Sequence, residues 1–324
     1  DISFDLELTG TGYSNTVVVD STTFISQITD ISRGRSIEDN AWYYFGEPTP
    51  GNPNNTMPIF FTDKAGQIIP SLGSGFYSGF QTITLSTPNE TEQIYYTLDG
   101  SRPGSNTNAY TGPISIENST VLKARSMGED KLPGEIMTTT YFIDEQSFIP
   151  TVSLVAEPET LWDSDIGIYE NEYKQREIPV TIHYFTPDTE HRFTVNAGAR
   201  LGGLNIWTKP QKPFTIYLRN RFGDDYINYQ LFDNKQITNF SRIVFRNGGD
   251  DWEETLIRDP MAESLAIGMM DCGYMAYTPS ALYLNGAYWG IHNIREKFNT
   301  HYFFENFNVD PNNIDQLEYT STES

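Results

Sequence analysis

Four acidic side chains lie close together in the stretch FRNGGDDWEETLIRDP, residues 245–260. They could bind a metal ion, although hard cations need several oxygens that converge from separate chain segments. They could serve an active site, or they could cap and charge the start of a helix. We favour the helix-capping interpretation, in which Asn247-Gly248-Gly249 turn the chain. The four acidic residues are Asp250, Asp251, Glu253 and Glu254.

A second group of residues has the types that bind phosphate. A predicted strand over residues 191–201 ends at Gly202 and Gly203, and Lys212 begins the returning strand. Glycines let a backbone approach phosphate, and a lysine on the returning strand can reach the phosphate oxygens. Lys209 competes with Lys212 for this role. The same pattern also occurs in an ordinary hairpin without a ligand.

The remaining polar residues form weaker patterns. Arg200 lies just before the glycine turn, where it could pair with phosphate or be an exposed strand arginine. Residues 310–315, DPNNID, lack the central glycine and the terminal glutamate of an EF-hand, so we expect a helix cap or turn. The histidines show no tight spacing and are expected to be structural; they are His183, His191, His292 and His301.

The composition narrows the classes of function. The chain has 324 residues and a formal net charge of −22, which argues against DNA or RNA as partners because phosphate backbones require clustered Lys and Arg. No apolar run approaches the ~20 residues of a membrane helix. Cys272 is the only cysteine, so no disulfide framework is expected. The chain begins at Asp1 without a signal peptide, and we expect a processed piece of a longer protein.

The elements that position these residues are mostly strands, predicted in IPVTIHYF, HRFTVNAGARL, PFTIYLRN and SRIVFRN. The first convincing helix has Asp259 as its expected N-cap and Pro260 at its first position. Met261, Leu265 and Met269 recur every four residues on one face of this helix.

A hairpin and a second helix follow the first helix. Asn285-Gly286 lies between alternating apolar residues, which is a strong hairpin signal. NTHYFFENF then predicts a helix capped by Thr300, with Phe303 and Phe307 on one side.

Residues 1–57 are rich in β-formers and end in EPTPGNPNNT, a stretch of turn residues. FISQITDISRGRSIEDNAWYYFGEPTPGNPN resembles the C-terminal half of the lamin tail domain. This resemblance implies a structural immunoglobulin-like β-sandwich without catalysis, in which the first strands are missing or shortened. Residues 58–73 are expected to form a linker whose Ile-Ile pair docks on one of its neighbours.

Residues 74–144 alternate five predicted strands with Asp-Gly, Pro-Gly and Gly-Pro turns, which predicts a small antiparallel sandwich. IYYTLDGSRPGSNTNAYTGPISI and STVLKARS resemble the chitobiase/β-hexosaminidase C-terminal module. In that family the module is accessory and the glycosidase carboxylates lie elsewhere. The resemblance therefore does not indicate sugar hydrolysis.

Residues 147–324 resemble the CotH family, which is named for a spore-coat protein. The resemblance is carried by SLVAEPETLWDSDIGIY, GARLGG with KPQKPFTIYLR, FRNGGDDW with LIRDPMAESLA, LYLNGAYWGIHNIREKF and DPNNIDQLEY. The family is kinase-like; some members phosphorylate spore-coat proteins, and fungal surface members are adhesins. The resemblance implies a kinase-like N-lobe that binds ATP with Mg²⁺ or Mn²⁺.

The same resemblance suggests roles for particular residues. A helix beside the lysine strand would supply a glutamate that pairs with the lysine, and Glu263 is the best-placed candidate. Glu253 and Glu254 remain alternatives. NIREKF places Glu296 near the lobe hinge, although Glu296 and Lys297 could form an ordinary surface pair. The expected nucleotide-binding residues are Lys212, Arg200, Gly202, Gly203, Glu263 and Glu296.

We therefore expect a multidomain, β-rich chain with two immunoglobulin-like β-sandwiches followed by an α+β kinase-like N-lobe. In CotH proteins the catalytic and metal-holding residues of the C-lobe lie downstream of the point that matches NIDQLEY, so we expect this chain to be inactive by itself. The expected function is that of a secreted or cell-surface protein kinase acting on a protein substrate or surface partner. The alternatives are a non-catalytic adhesin or envelope scaffold and a carbohydrate-associated module.

Overall fold

The computed structural model describes residues 2–8 and 17–24, for the backbone only, and residues 31–49, 51–54, 56, 58–59, 63–129, 131–203, 209–270 and 272–315. The chain divides into two compact units. The first comprises residues 1–66, 89–93 and 126–135, and the second comprises residues 67–88, 94–125 and 136–324.

The first unit contains two antiparallel strand pairs. They are β1 (Ile2–Leu8) with β2 (Val17–Phe24), and β3 (Ser32–Arg35) with β4 (Trp42–Phe45). Ile31, Ile59 and Leu132 form a small core with Tyr44 packed against it. The interpretation of residues 1–57 as a lamin-tail sandwich stays a prediction.

The second unit begins with a β-module, which we define as residues 67–88, 94–125 and 136–144. A five-stranded sheet and two strand pairs share a core of aliphatic residues and Tyr141. Part of the predicted linker belongs to this module, because Ile68 is buried in the core. The strands are β5 (Ile69–Pro70), β6 (Gly75–Tyr77), β7 (Gln81–Ile83), β8 (Leu85–Ser86), β9 (Gln93–Thr97), β10 (Asn108–Ala109), β11 (Ile114–Ile116), β12 (Thr120–Met127) and β13 (Met137–Ile143).

Seven later strands form a closed barrel in the order β14-β15-β16-β17-β20-β22-β21. Neighbouring strands are antiparallel except β14 and β21, whose parallel pairing closes the barrel. The sequence predicted six of these strands, but neither the first strand, Thr151–Val155, nor the closure. The strands are β14 (Thr151–Val155), β15 (Ile178–Phe185), β16 (His191–Leu201), β17 (Phe214–Tyr217), β20 (Arg242–Arg246), β21 (Tyr277–Leu284) and β22 (Ala287–Arg295), with β18 (Ile227–Asn228) and β19 (Asn239–Phe240) paired outside it.

Alternation along each strand divides barrel residues between an inner and an outer face. Ala199, Ile216, Ile243 and Ile294 belong to the buried core. The residues between them, such as Tyr217, face outward. The barrel interior is thus filled by apolar side chains and leaves chemistry to its ends and its outer wall.

The β-module packs on the outer wall at β14, β15 and β21. Phe142 of β13 contacts Phe185 and Tyr283 of the barrel, at ring-centroid distances of 5.4 and 4.6 Å. The Thr140 and Ser153 hydroxyls lie 2.7 Å apart at the same junction. This aromatic contact also includes Phe76. The β-module therefore covers β14, β15 and β21, and we look for a site on the outer faces of β16, β17, β20 and β22.

The α-helices are α1 (Pro158–Trp162), α2 (Arg258–Ala266) and α3 (Thr300–Phe307). α2 begins before the predicted N-cap, so Asp259 lies in its first turn. Met261 and Leu265 are 54% and 68% exposed, so their apolar face is not part of the core. α3 is capped by Asn299, whose side chain accepts from the Tyr302 amide, and not by Thr300 as predicted.

The predicted hairpin at Asn285-Gly286 is confirmed. It joins β21 to β22, and both turn residues have positive φ, +49° and +83°. Two-residue turns of this kind match the twist of the strands they join, which explains why Asn-Gly predicted it.

Candidate functional site

The glycine turn and the lysine after it lie at one end of the barrel. The Gly202 amide donates to the Pro213 carbonyl at 3.3 Å, which joins the two sides of the turn. Gly203 has a φ of +117°, where a residue with a side chain would be strained. Residues 204–208 lie outside the described residues. The turn sets Lys212 just before β17, at the mouth of the barrel.

The Lys212 side chain is buried and paired. Its Nζ lies 3.6 Å from Glu172 Oε1, and the two side chains are 8% and 14% exposed. The ammonium also lies 5.8 Å from the centre of the Tyr169 ring. His292 Nε2 lies 3.3 Å from the Lys212 carbonyl, which ties this backbone to β22. Lys212 therefore faces the barrel mouth and not open solvent.

The segment between α1 and β15 holds Glu172 in place. Asp163 accepts the amides of Asp165 and Ile166 through Oδ1. The Asn171 side chain donates to two carbonyls of the same segment. The Tyr169 hydroxyl accepts from Trp289 Nε1 at 2.9 Å, and burial raises the pKa of Tyr169. These bonds form a folded cap over the barrel mouth.

Arg200 lies elsewhere, on the outer wall. It pairs with Thr215 in the β16–β17 register, and its guanidinium carbon lies 5.2 Å from the centre of the Tyr217 ring. Arg219 and Arg242 are the other guanidinium groups at this ring, at 4.5 and 4.6 Å. Three arginines therefore surround one tyrosine on the open part of the wall.

Glu263 does not pair with Lys212 as expected. It accepts from the guanidinium of the buried Arg295 and from the Met275 amide at 2.6 Å. The reason is geometric: Glu263 on α2 lies against Arg295 of β22, whereas the Lys212 side chain lies against Glu172. The alternative Glu253 pairs with Lys209 at 2.7 Å.

Glu296 lies in another place, immediately after the end of β22. Its carboxylate pairs with Lys235 Nζ at 2.5 Å and accepts from Asn306 Nδ2 and the Ala276 amide. Its side chain is only 3% exposed, so it is not a surface partner of Lys297. Lys235 and Asn306 also line a cavity of about 420 Å³ together with Tyr274, Tyr302 and Phe307.

In the acidic stretch over residues 245–260, Asp251 has a structural role. This buried carboxylate accepts from the Thr255 amide and hydroxyl and from the Arg258 amide at the start of α2. The Thr255 hydroxyl bond, with the amide bonds, lowers the pKa of Asp251 to about 2. Asp251 thus performs the capping expected of this stretch. Within the described ranges, no group of three or more His, Cys, Asp or Glu could hold a metal ion.

The weaker sequence patterns are also structural where described. Burial lowers the pKa of His183 to about 3 and that of His292 to about 4, so both are neutral packing groups. Asp310 accepts from the Asn312 amide at 2.9 Å and caps a short 3₁₀ helix, Pro311–Asn313. The expected cap at DPNNID is confirmed.

The structure therefore places the six predicted residues in four separate surroundings. Gly202, Gly203 and Lys212 lie at the barrel mouth. Arg200 lies beside Tyr217 on the outer wall, Glu263 pairs with Arg295, and Glu296 pairs with Lys235. Sequence reasoning missed their partners, which come from distant segments. The missed residues are Tyr169, Glu172, Arg219, Lys235, Arg242, Arg295 and Asn306.

Two family models match the chain. Residues 72–138 match the chitobiase/beta-hexosaminidase C-terminal domain, and residues 202–321 match the family described as CotH kinase protein. None of the curated proteins compared with the chain matches it significantly. Among the described residues, no helix has the length and apolar character needed to cross a membrane. The two matches cover most of the β-module and four of the seven barrel strands, β17, β20, β21 and β22, in the order expected from the sequence.

Proposed function

We propose that this chain, with a CotH-family segment behind a chitobiase-type module, is part of an exported CotH-like protein kinase. The full protein would transfer a phosphoryl group from ATP to Ser or Thr of a surface or coat protein, and Mg²⁺ or Mn²⁺ would accompany the nucleotide. The β-module would be an accessory domain. We assign no metal ligand, because the described residues offer no cluster of suitable side chains.

The Lys212–Glu172 pair supports this proposal most directly. In kinases a lysine on the strand after the glycine-rich loop contacts the phosphates, and a glutamate holds that lysine. Here Lys212 follows the Gly202-Gly203 turn, and Glu172 takes the place expected for Glu263.

In this proposal the phosphate approaches Lys212 from the side of the glycine turn. The folded cap over residues 163–174 covers the opposite side of the ammonium, and Tyr169 lies against it. Gly202 and Gly203 would let backbone amides approach the phosphate oxygens. Lys212 would orient and neutralise the phosphates, and Glu172 would keep its side chain in place.

A non-catalytic scaffold or adhesin is the second candidate. The low exposure of Lys212 favours it, because a buried lysine already satisfied by a carboxylate is a common structural pair. The aromatic junction between the β-module and the barrel favours it too, since it fixes two domains in one orientation.

Thermal melting of the full chain with ATP and either Mg²⁺ or Mn²⁺ distinguishes the candidates. Ligand at about 100 times Kd stabilises a folded protein by about 2.7 kcal/mol, which corresponds to several degrees in Tm. We expect this increment in the wild type, and not in Lys212→Met. Lys209→Met is the matched control, because Lys209 flanks the same turn but pairs with Glu253. No rise in Tm with either metal, or an equal rise in both variants, would favour the scaffold. A panel of oligosaccharides in the same assay tests the carbohydrate-associated alternative.

A further inference from the structure

The arginines around Tyr217 are placed there by strand register. Tyr217 of β17 lies opposite Arg242 of β20 and opposite Gly198 of β16, with Arg200 two residues along the same outward face. Arg219 follows Tyr217 by two residues. Three strand segments therefore bring three guanidinium groups to one side chain.

These guanidinium groups are close and incompletely neutralised. All three carbons lie within 5.2 Å of the centre of one ring, so their like charges repel one another. Glu177 pairs with Arg219 at 2.8 Å and also with the exposed Arg221. Within the described ranges, neither Arg200 nor Arg242 has a carboxylate at ion-pair distance.

The nearest acidic group on α3 does not fill this gap. Glu305 accepts from the Ser241 amide and hydroxyl, both at 2.8 Å, and so is already committed beside Arg242. Residues 204–208, which lie outside the described residues, contain no acidic side chain. In a chain with 43 acidic and 21 basic residues, two arginines without a carboxylate are unusual enough to need a reason.

Two further observations indicate that the cluster is suited to bind an anion. The Arg200 Nε is buried and has no hydrogen-bond partner among the described residues. Burial lowers the pKa of Arg242, and the charges of Arg219 and Arg200 lower it further against the opposing effects of Tyr217 and Glu177. Cation–π contacts with Tyr217 offset part of this repulsion, but they do not satisfy N–H donors in the guanidinium planes.

We propose that Arg200, Arg219 and Arg242 form a binding site for a phosphate group on the outer wall of the barrel. Guanidinium groups present planar pairs of donors that match phosphate oxygens, and a dianion would relieve the repulsion among them. Arg219 remains 41% exposed, so a ligand can reach the cluster from solvent. The phosphate belongs either to a nucleotide or to a phosphorylated side chain of a protein. This site is separate from Lys212 and does not depend on the proposed kinase function.

The test is a calorimetric titration of the full chain with O-phosphoserine and, separately, with ATP. We expect Arg242→Gln and Arg200→Gln each to weaken binding at least about tenfold, because each removes charge-assisted hydrogen bonds. Arg192→Gln is the matched control: Arg192 lies on the same strand as Arg200, at its far end, but pairs with Glu190. Its affinity should stay within about twofold of the wild type, as expected for a distant surface charge.

The two ligands identify the source of the phosphate. Binding of O-phosphoserine that is lost in Arg242→Gln indicates a phosphorylated protein. ATP binding that is lost in Arg242→Gln but kept in Lys212→Met, without binding of O-phosphoserine, indicates a nucleotide. Arg242→Lys, which keeps the charge without the paired donors, should bind with intermediate affinity. The proposal is overturned if neither ligand binds, or if Arg192→Gln weakens binding as much as Arg242→Gln. Lys212→Met should leave O-phosphoserine binding unchanged, so failure of the kinase proposal remains distinguishable.

Discussion

Truncation of Phe142 tests whether the aromatic junction couples the β-module to the barrel. Its ring is fully buried, stacks on Phe76 at 4.4 Å and meets Phe185 and Tyr283 edge-on. Phe→Ala substitutions at buried sites cost about 3–5 kcal/mol, through lost transfer free energy and the cavity that remains. For a protein region of this size, that corresponds to about 6–20 °C in Tm.

The assay is thermal and urea unfolding of Phe142→Ala, followed by tryptophan fluorescence and by circular dichroism. Phe148→Ala is the matched control, because Phe148 is 86% exposed in the connection between the two domains and should change stability by less than about 0.5 kcal/mol. We also expect fluorescence and circular dichroism to report different unfolding midpoints for Phe142→Ala, since the tryptophans described in this unit lie on the barrel side. A Tm shift no larger than that of Phe148→Ala would refute the coupling.

Two further predictions concern charged side chains. Lys212→Met or Glu172→Gln alone should destabilise the chain by about 3 kcal/mol, because each removes the ion-pair partner of a buried charge. The double variant should recover part of this loss in a urea-unfolding cycle; additive losses would contradict the pairing. The pKa of Asp251 is lowered from its ordinary 3.8 to about 2, so its stabilising contribution is present above pH 4 and is lost as the pH falls through 2. Asp251→Asn should therefore lower Tm at pH 7 but approach the wild type at pH 2, whereas Asp250→Asn, an exposed neighbour, should change little at either pH.

Local patterns predicted the local elements of this protein. The Asn285-Gly286 hairpin follows from residues that tolerate positive φ. The capping role of the acidic stretch was also foreseen, since short acidic side chains favour free amides at a helix start. The exact set of donors could not be foreseen. Asp251 accepts from Thr255 in its own turn and also from the amide of Arg258, seven residues away.

The site could be predicted only in part, because its pairs come from segments far apart in the sequence. Nothing local connects Lys212 to Glu172, whose approach depends on the folded cap at the barrel mouth. Likewise, the choice of Arg295 as the partner of Glu263 depends on which face α2 covers. Strand alternation shows that a side chain is inward or outward, but not which strands become neighbours when the barrel closes.

Closure of the barrel by β14 and β21 has a consequence for biosynthesis. All of residues 156–276 separate these two parallel strands, so β14 leaves the ribosome long before its partner. Contacts this distant in sequence form slowly, and an unpaired strand edge invites association with other chains. The β-module is made earlier and already rests on β14 through Thr140 and Ser153. The contact can therefore hold the outer face of β14, while its backbone edge stays open until the last hairpin emerges.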